Sequence, residues 1–126
     1  PAQVLQVQGD RPRIKRILQN LLSNALKYST SPAPVTIKVR DLGAEAQLSV
    51  IDRGVGIAAE DLPRVFDRFY RTRRTETISG VGLGLYVTRL LIEAHGGRIW
   101  LESTLGTGTA AHFTLPIAPR TPPDAP

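Results

Sequence analysis

V-T-I-K-V-R-D-L-G-A-E-A-Q-L-S-V-I-D-R-G-V-G, from Val35 to Gly56, is the stretch on which the fold turns. Val35, Ile37 and Val39 alternate with polar neighbours, Asp41-Leu42-Gly43 supplies a turn, and Leu48, Val50 and Asp52 alternate again. Period-two alternation on both sides of a glycine turn predicts an antiparallel hairpin. The second strand runs into Asp52-Arg53-Gly54-Val55-Gly56, so the hairpin delivers an acidic group to a backbone that can take positive φ and admit a ligand closely.

Towards the N-terminus, Val4 to Gln8 reads as a short strand, and Asp10 stands where it can cap a helix opening at Arg11 and Pro12. Ile14, Ile17, Leu18, Leu21, Leu22, Ala25 and Leu26 then recur with helical spacing until Ser29-Thr30-Ser31-Pro32 breaks the pattern. Towards the C-terminus, Glu60 to Val65 reads as a short helix, and Phe66 to Ser79, rich in arginine and threonine with little periodicity, as a mobile, lid-like loop. Leu83, Val87, Leu90, Leu91 and Ala94 form a second helical stripe, ended by Gly96-Gly97 through a left-handed cap. Ile99 and Leu101, then Phe113, Leu115 and Ile117, mark two further strands joined by the turn around Gly106. This order predicts an α/β two-layer sandwich: a mixed, mostly antiparallel sheet of about five strands covered on one face by about three helices, without alternating parallel βαβ units. Residues 1–118 are expected as one domain, and 119–126 as a proline-rich flexible tail.

The chain has 126 residues, 41% hydrophobic and 21% charged, a globular balance with no apolar run long enough to cross a bilayer. A soluble piece of a longer protein is expected, with any membrane anchor outside it, since neither a basic-then-apolar leader nor an initiating methionine is present. Zero cysteines exclude disulfides and thiolate metal sites but fit reducing and oxidising compartments alike. A net charge of +5 favours anionic partners, whether nucleotide phosphates, nucleic acid or acidic lipid. No basic helix interleaved with aromatic residues points to nucleic acid, and none is expected as a partner.

Four segments carry candidate chemistry. On the first helix Asn20 and Asn24 lie one turn apart with Lys27 a further step along, so all three project to one flank of the apolar stripe. An amide oxygen there suits magnesium, the ammonium suits phosphate, and the same spacing equally describes solvated or hydrogen-bonded helix residues. Asp52 is placed to accept from an exocyclic adenine amine at a cleft mouth, or to bond its own backbone as a turn former. Gly80, Val81, Gly82, Leu83, Gly84 and Leu85 lead into the second long helix, whose first amide groups attract phosphate; a packing hinge is the bland alternative. Gly106 to Thr109 forms the third glycine turn. Arg68, Arg71, Arg73 and Arg74, with Phe66, Phe69 and Tyr70, can line a lid with cations and rings, or form a solvated basic loop. His95 sits where a cation would help terminal helix carbonyls, and His112 on an alternating strand; neither reads as a nucleophile.

With N-L-L-S-N-A-L-K-Y-S at Asn20 to Ser29, F-D-R-F-Y-R at Phe66 to Arg71 and the glycine turns in order, the chain resembles the catalytic ATP-binding domain of sensor histidine kinases, within the gyrase, chaperone, kinase and mismatch-repair ATPase superfamily. The likeness runs from about Asp10 to Ile117. It implies a Bergerat-type fold, ATP and Mg2+ as cofactors, and two-component signalling in the cytoplasm. It implies magnesium on Asn24, phosphate near Lys27, the base near Tyr28 and Asp52, and the triphosphate along Gly82 and Gly84. Gly54, Gly56, Ile57, Phe69, Tyr70, Gly80, Val81, Leu83, Leu85 and Thr109 complete the nucleotide site, and Asn20, Lys27 and Arg71 carry catalysis. Hydrolytic relatives place a glutamate where this chain has Asn20, which cannot accept water's proton, so transfer to a histidine with slow hydrolysis is implied. The acceptor histidine belongs to an upstream dimerisation domain, so this piece is expected to bind ATP without phosphorylating itself. A response regulator is the implied onward partner, with the full-length protein a homodimer and this piece a monomer. A non-catalytic nucleotide-sensing domain of the same fold is the alternative.

Overall fold

The computed structural model describes residues 6–28, 34–67 and 84–117. Helix α1, Arg11–Tyr28, begins as expected: Asp10 Oδ2 accepts from Arg13 N–H at 3.0 Å while its carbonyl accepts from Ile14 N–H at 2.9 Å. That is a side-chain N-cap satisfying one of the first turn's orphan donors. Strands β1, Thr36–Asp41, and β2, Glu45–Ile51, form the expected hairpin, whose turn is closed by Asp41 Oδ1 accepting from Gly43 N–H at 2.8 Å. A 3-10 turn at Leu62–Arg64 stands where a short helix was expected. Helix α2, Gly84–Ala94, and strands β3, Ile99–Thr104, and β4, Gly108–Pro116, follow.

The sheet order is β1-β2-β4-β3. Every strand pairing among the described residues is antiparallel, so the parallel component of the expected mixed sheet does not appear there. Of the expected strand from Val4 to Gln8, Val4 and Leu5 lie outside the described residues, and the described part makes a bridge between Val7 and Ile117, with Gln8 N–H donating to Pro116 O at 2.9 Å. β4 is central, pairing with β2 through Leu48 and Phe113 and with β3 through Ile99 and Phe113.

Helices cover one face. Ile17, Leu21 and Ala25 of α1, Ile92 of α2, Val50 of β2 and Ala111, Phe113 and Leu115 of β4 make one buried cluster. On α1 the i, i+4, i+8 stripe is the expected one, except that Leu26 stays 69% exposed. On α2 the stripe is rotated from the expected position. Thr88 and Ile92 are wholly buried, with Leu85 and Leu91 against the core, whereas Leu90 is 49% exposed and Ala94 lies outside. Aliphatic residues occur around much of this helix, so packing against α1 and β4 sets its rotation. The expected C-cap is present as a paired motif: Gly96 has φ 81°, its N–H donates to Glu93 O, and Gly97 N–H donates to Ile92 O.

Candidate functional site

β2 ends by handing Asp52 to a turn that is stitched to the β3–β4 turn. Asp52 N–H donates to Thr109 O at 2.9 Å, extending the β2–β4 ladder by one residue. Asp52 Oδ1 accepts from Gly54 N–H at 2.8 Å and from Thr109 N–H at 3.2 Å. The turn-forming and ligand-binding readings of this aspartate are therefore compatible: Oδ1 organises the turn, and Oδ2 receives neither bond. Burial raises the Asp52 pKa above the ordinary carboxylate value, and the Gly54 and Thr109 N–H donors offset part of that rise.

Ser103 is the knot between the two turns. Its Oγ accepts from Ile57 N–H at 2.7 Å, donates to Gly108 O at 2.8 Å and lies 2.8 Å from Thr109 Oγ1. Gly106 N–H donates to Val55 O at 2.9 Å. Two glycines make this contact possible. A Cβ on Gly56, at φ 74°, would meet Thr104 O at 2.2 Å, and one on Gly108, at φ 132°, would meet Asp52 O at 2.2 Å. Gly54, Gly56, Ile57, Asp52 and Thr109 are thus brought together, as the glycine spacing anticipated. Ser103 escaped sequence reading because its bond to Ile57 joins segments 46 residues apart and it looks like any polar strand residue.

Alternation puts Asp52 on the strand face of Val50, and Thr109 on that of Ala111, so both carboxylate and hydroxyl stand at the helix-covered side of the sheet end. Val50 and Ala111 share the core cluster with Leu21 and Ala25 of α1, the residues that follow Asn20 and Asn24. Asn20 and Asn24 are both half-buried on α1. Asn20 Nδ2 donates to Thr88 Oγ1 at 3.2 Å, tying α1 to α2 through a buried threonine that polarity kept out of the apolar stripe.

Lys27 and Tyr28 lie in the last turn of α1, with side chains outside the described residues. Phe69, Tyr70, Arg71, Gly80, Val81, Gly82 and Leu83 lie outside them too, as do the other lid residues from Arg68 to Ser79 and the tail. Gly84 opens α2, and Leu85 packs partly buried against the core. Phe66 is half-buried with the Arg89 guanidinium 5.7 Å from its ring centroid.

Both histidines have structural surroundings. His95 Nδ1 lies 2.7 Å from Leu91 O, and Nε2 accepts from Asp10 N–H at 3.0 Å, a clasp between the residue that caps α1 and the end of α2. His112 lies on the sheet face opposite the helices, its Nδ1 2.6 Å from Ser49 Oγ and its ring stacked 5.3 Å from Trp100.

Among the described residues no cluster of three or more His, Cys, Asp or Glu could cage a metal. The hard amide oxygen of Asn24, half-buried on α1, is of the donor type that suits magnesium. No helix among the described residues is long and apolar enough to cross a membrane.

The family of histidine kinase-, DNA gyrase B- and HSP90-like ATPases matches residues 9–119. The chain is 45% identical over 121 residues to sensor histidine kinase WalK of Bacillus subtilis, covering 92% of this chain and 20% of that protein. Among solved structures it superposes on a mycobacterial sensor histidine kinase, MprB, with TM-score 0.79 at 31% identity, over 90% of this chain and 76% of that one. It also superposes on full-length ShkA in complex with AMPPNP, with TM-score 0.76 at 30% identity, over 95% of this chain and 25% of that one. The chain spans about a fifth of WalK's length. With the capped α1, the stitched Asp52 turn and the one-sided antiparallel sheet all present, the chain belongs to the histidine kinase-, DNA gyrase B- and HSP90-like ATPase family, as a catalytic domain of the sensor histidine kinase type.

Proposed function

We propose that this domain binds Mg2+-ATP between the Asp52 turn and the two long helices, and transfers the γ-phosphoryl group to a histidine on a separate dimerisation domain of its parent protein. The observation that carries the reading is Asp52 itself. Two backbone donors hold its Oδ1, leaving Oδ2 to accept from the exocyclic amine of adenine. Gly54, Gly56, Ile57 and Thr109 form the base end. The start of α2 at Gly84, with Gly80 to Leu83 before it in the chain, is the phosphate end, since the first N–H groups of a helix have no intrahelical acceptor and favour anions.

Asn24 would hold Mg2+ through its amide oxygen, with Asn20 one turn away on the same helix, and the ion would supply positive charge against the phosphates. Lys27 and Arg71 add positive charge to the phosphates, while Tyr28, Phe69 and Tyr70 line the nucleotide. In the transfer the bond between the γ-phosphorus and the β,γ-bridging oxygen breaks, a bond forms to an imidazole nitrogen of the acceptor, and ADP leaves. Positioning and charge neutralisation carry this step. Asn20 offers no base for water, which keeps hydrolysis slow. A response regulator then takes the phosphoryl group, the parent protein being a dimer at the cytoplasmic side.

Mixing this chain with the dimerisation segment of its parent protein and γ-labelled ATP is expected to give an acid-labile, alkali-stable label on histidine. Nucleotide binding without any such label would favour the non-catalytic sensor instead. Asn20→Glu is expected to raise hydrolysis where ATP binding is retained; unchanged hydrolysis would remove the proposed role of Asn20.

A further inference from the structure

The two long helices meet through a side-chain hydrogen bond that the nucleotide reading does not itself require, from Asn20 Nδ2 to Thr88 Oγ1 at 3.2 Å. Thr88 is wholly buried, one turn inside α2, on the face that packs against α1 and the sheet. A valine would fill the same space without a hydroxyl to desolvate, so a polar atom at this point needs a bonded partner. A helical threonine commonly donates its own hydroxyl hydrogen to the carbonyl one turn back, which makes its oxygen an acceptor towards other groups. An acceptor facing Asn20 selects one of the two flips of that amide: nitrogen towards Thr88, oxygen away from it.

The geometry points to Thr88 as a positioning residue that acts through Asn20. Resting on the nucleotide reading above, its hydroxyl holds the amide so that Oδ1, and not the NH2 group, is presented to Mg2+ or its bound water. An amide nitrogen has no lone pair to offer a cation, so a flipped Asn20 would subtract a ligand from the site. Because Thr88 lies just beyond the first turn of α2, it also registers the Asn20 amide against the helix start that faces phosphate.

The test uses the full 126-residue chain and calorimetric titration with a non-hydrolysable ATP analogue, once in Mg2+ and once in EDTA. Thr88→Val is expected to weaken binding in Mg2+ by roughly threefold to tenfold, the loss of one hydrogen bond, and to leave binding in EDTA unchanged. Thr88→Ser is expected to restore the Mg2+ effect, and Thr88→Val added to Asn20→Ala to cost nothing further, since one residue acts through the other. Equal losses in Mg2+ and EDTA, or losses that add to those of Asn20→Ala, would mark Thr88 as a core residue only and overturn the inference. Wild-type Mg2+ dependence that Thr88→Val leaves intact, in a chain that melts normally, overturns the inference alone. Wild-type binding that ignores Mg2+ overturns the reading of the site and this inference with it. Thr88→Ala, which removes the hydroxyl without placing a methyl against the amide, is read in the same way if the valine variant melts early.

Discussion

At the sheet end Asp52 is held by two backbone N–H groups, whereas on the helices Asn20 is held by one side-chain hydroxyl. The first arrangement is built from turns pressed so closely that Gly56 and Gly108 have no room for a Cβ. The second is built from rotamers and amide flips on two packed helices. Backbone construction tolerates changes of side chain around it and fails when a turn is forced apart. Side-chain construction is tuned atom by atom. The base-reading end is thus fixed in place by the fold, and the phosphate and metal end depends on a few polar atoms.

The most severe way to break this contrast is Gly108→Ala. The new methyl would meet Asp52 O at 2.2 Å from a residue at φ 132°. Backbone strain and overpacking together should cost on the order of 3 kcal/mol or more, roughly a 10 °C fall in melting temperature. An unchanged melt would mean that the turns yield easily.

Asp52→Ala keeps the turn's glycines and removes the acceptor. Losing a hydrogen bond to a charged acceptor should weaken ATP binding by about 1.5–3 kcal/mol, tenfold or more. Unchanged affinity would move adenine recognition elsewhere.

Asp52→Asn sharpens the comparison through pH. Burial raises the Asp52 pKa, so the folded protein binds that proton more tightly than the unfolded chain does. Wild-type stability contributed by this group is therefore full below the ordinary carboxylate pKa of about 3.9 and falls as pH rises through the raised value. A neutral amide at this position would carry no such penalty, so in urea unfolding the variant should gain on wild type as pH climbs above about 4 and hold a constant lead beyond the transition. A difference independent of pH would show that the carboxylate is not penalised by burial. The same variant should bind ATP less well, a cost of function recovered as stability.

The smallest effect belongs to Leu26→Ala. Although Leu26 continues the sequence stripe of α1, its 69% exposure predicts a change within about 0.5 kcal/mol, against roughly 2–5 kcal/mol for Leu21→Ala in the core. Comparable losses in the two variants would mean that Leu26 is covered in solution.

What could be read from residues alone follows the range of the forces involved. The Asp10 cap, the Gly43 turn and the Gly96 cap are decided within a few residues, and each appeared where its chemistry required. The hairpin followed from alternation, which also settles that Val50 faces the core, whereas the pairing of Ile37 with Val50 is fixed by the turn. The rotation of α2 was not legible, because Leu85, Val87, Leu90, Leu91 and Ile92 point around much of its circumference and only α1 and β4 choose among them. β1 shows the same limit: Ile37 and Val39 pair with Val50 and Leu48 on the helix side, yet remain 50% and 59% exposed because the helices rest over β2 and β4. In the candidate site, glycine spacing revealed Asp52 and its turn. Thr88 stayed hidden because Asn20 lies 68 residues away along the chain, and Ser103 because the bond that joins the two turns, to Ile57, spans 46 residues.

The account is tested most directly by titrating the wild-type chain and Asp52→Ala with Mg2+-ATP and with Mg2+-ITP, whose base carries an oxygen where adenine carries its amine. Wild type is predicted to prefer ATP by at least about tenfold, because Asp52 Oδ2 would face an acceptor in place of a donor, and Asp52→Ala is predicted to bind both nucleotides equally weakly. Equal binding of the two nucleotides by wild type, or a preference for ATP that survives loss of the carboxylate, would contradict it.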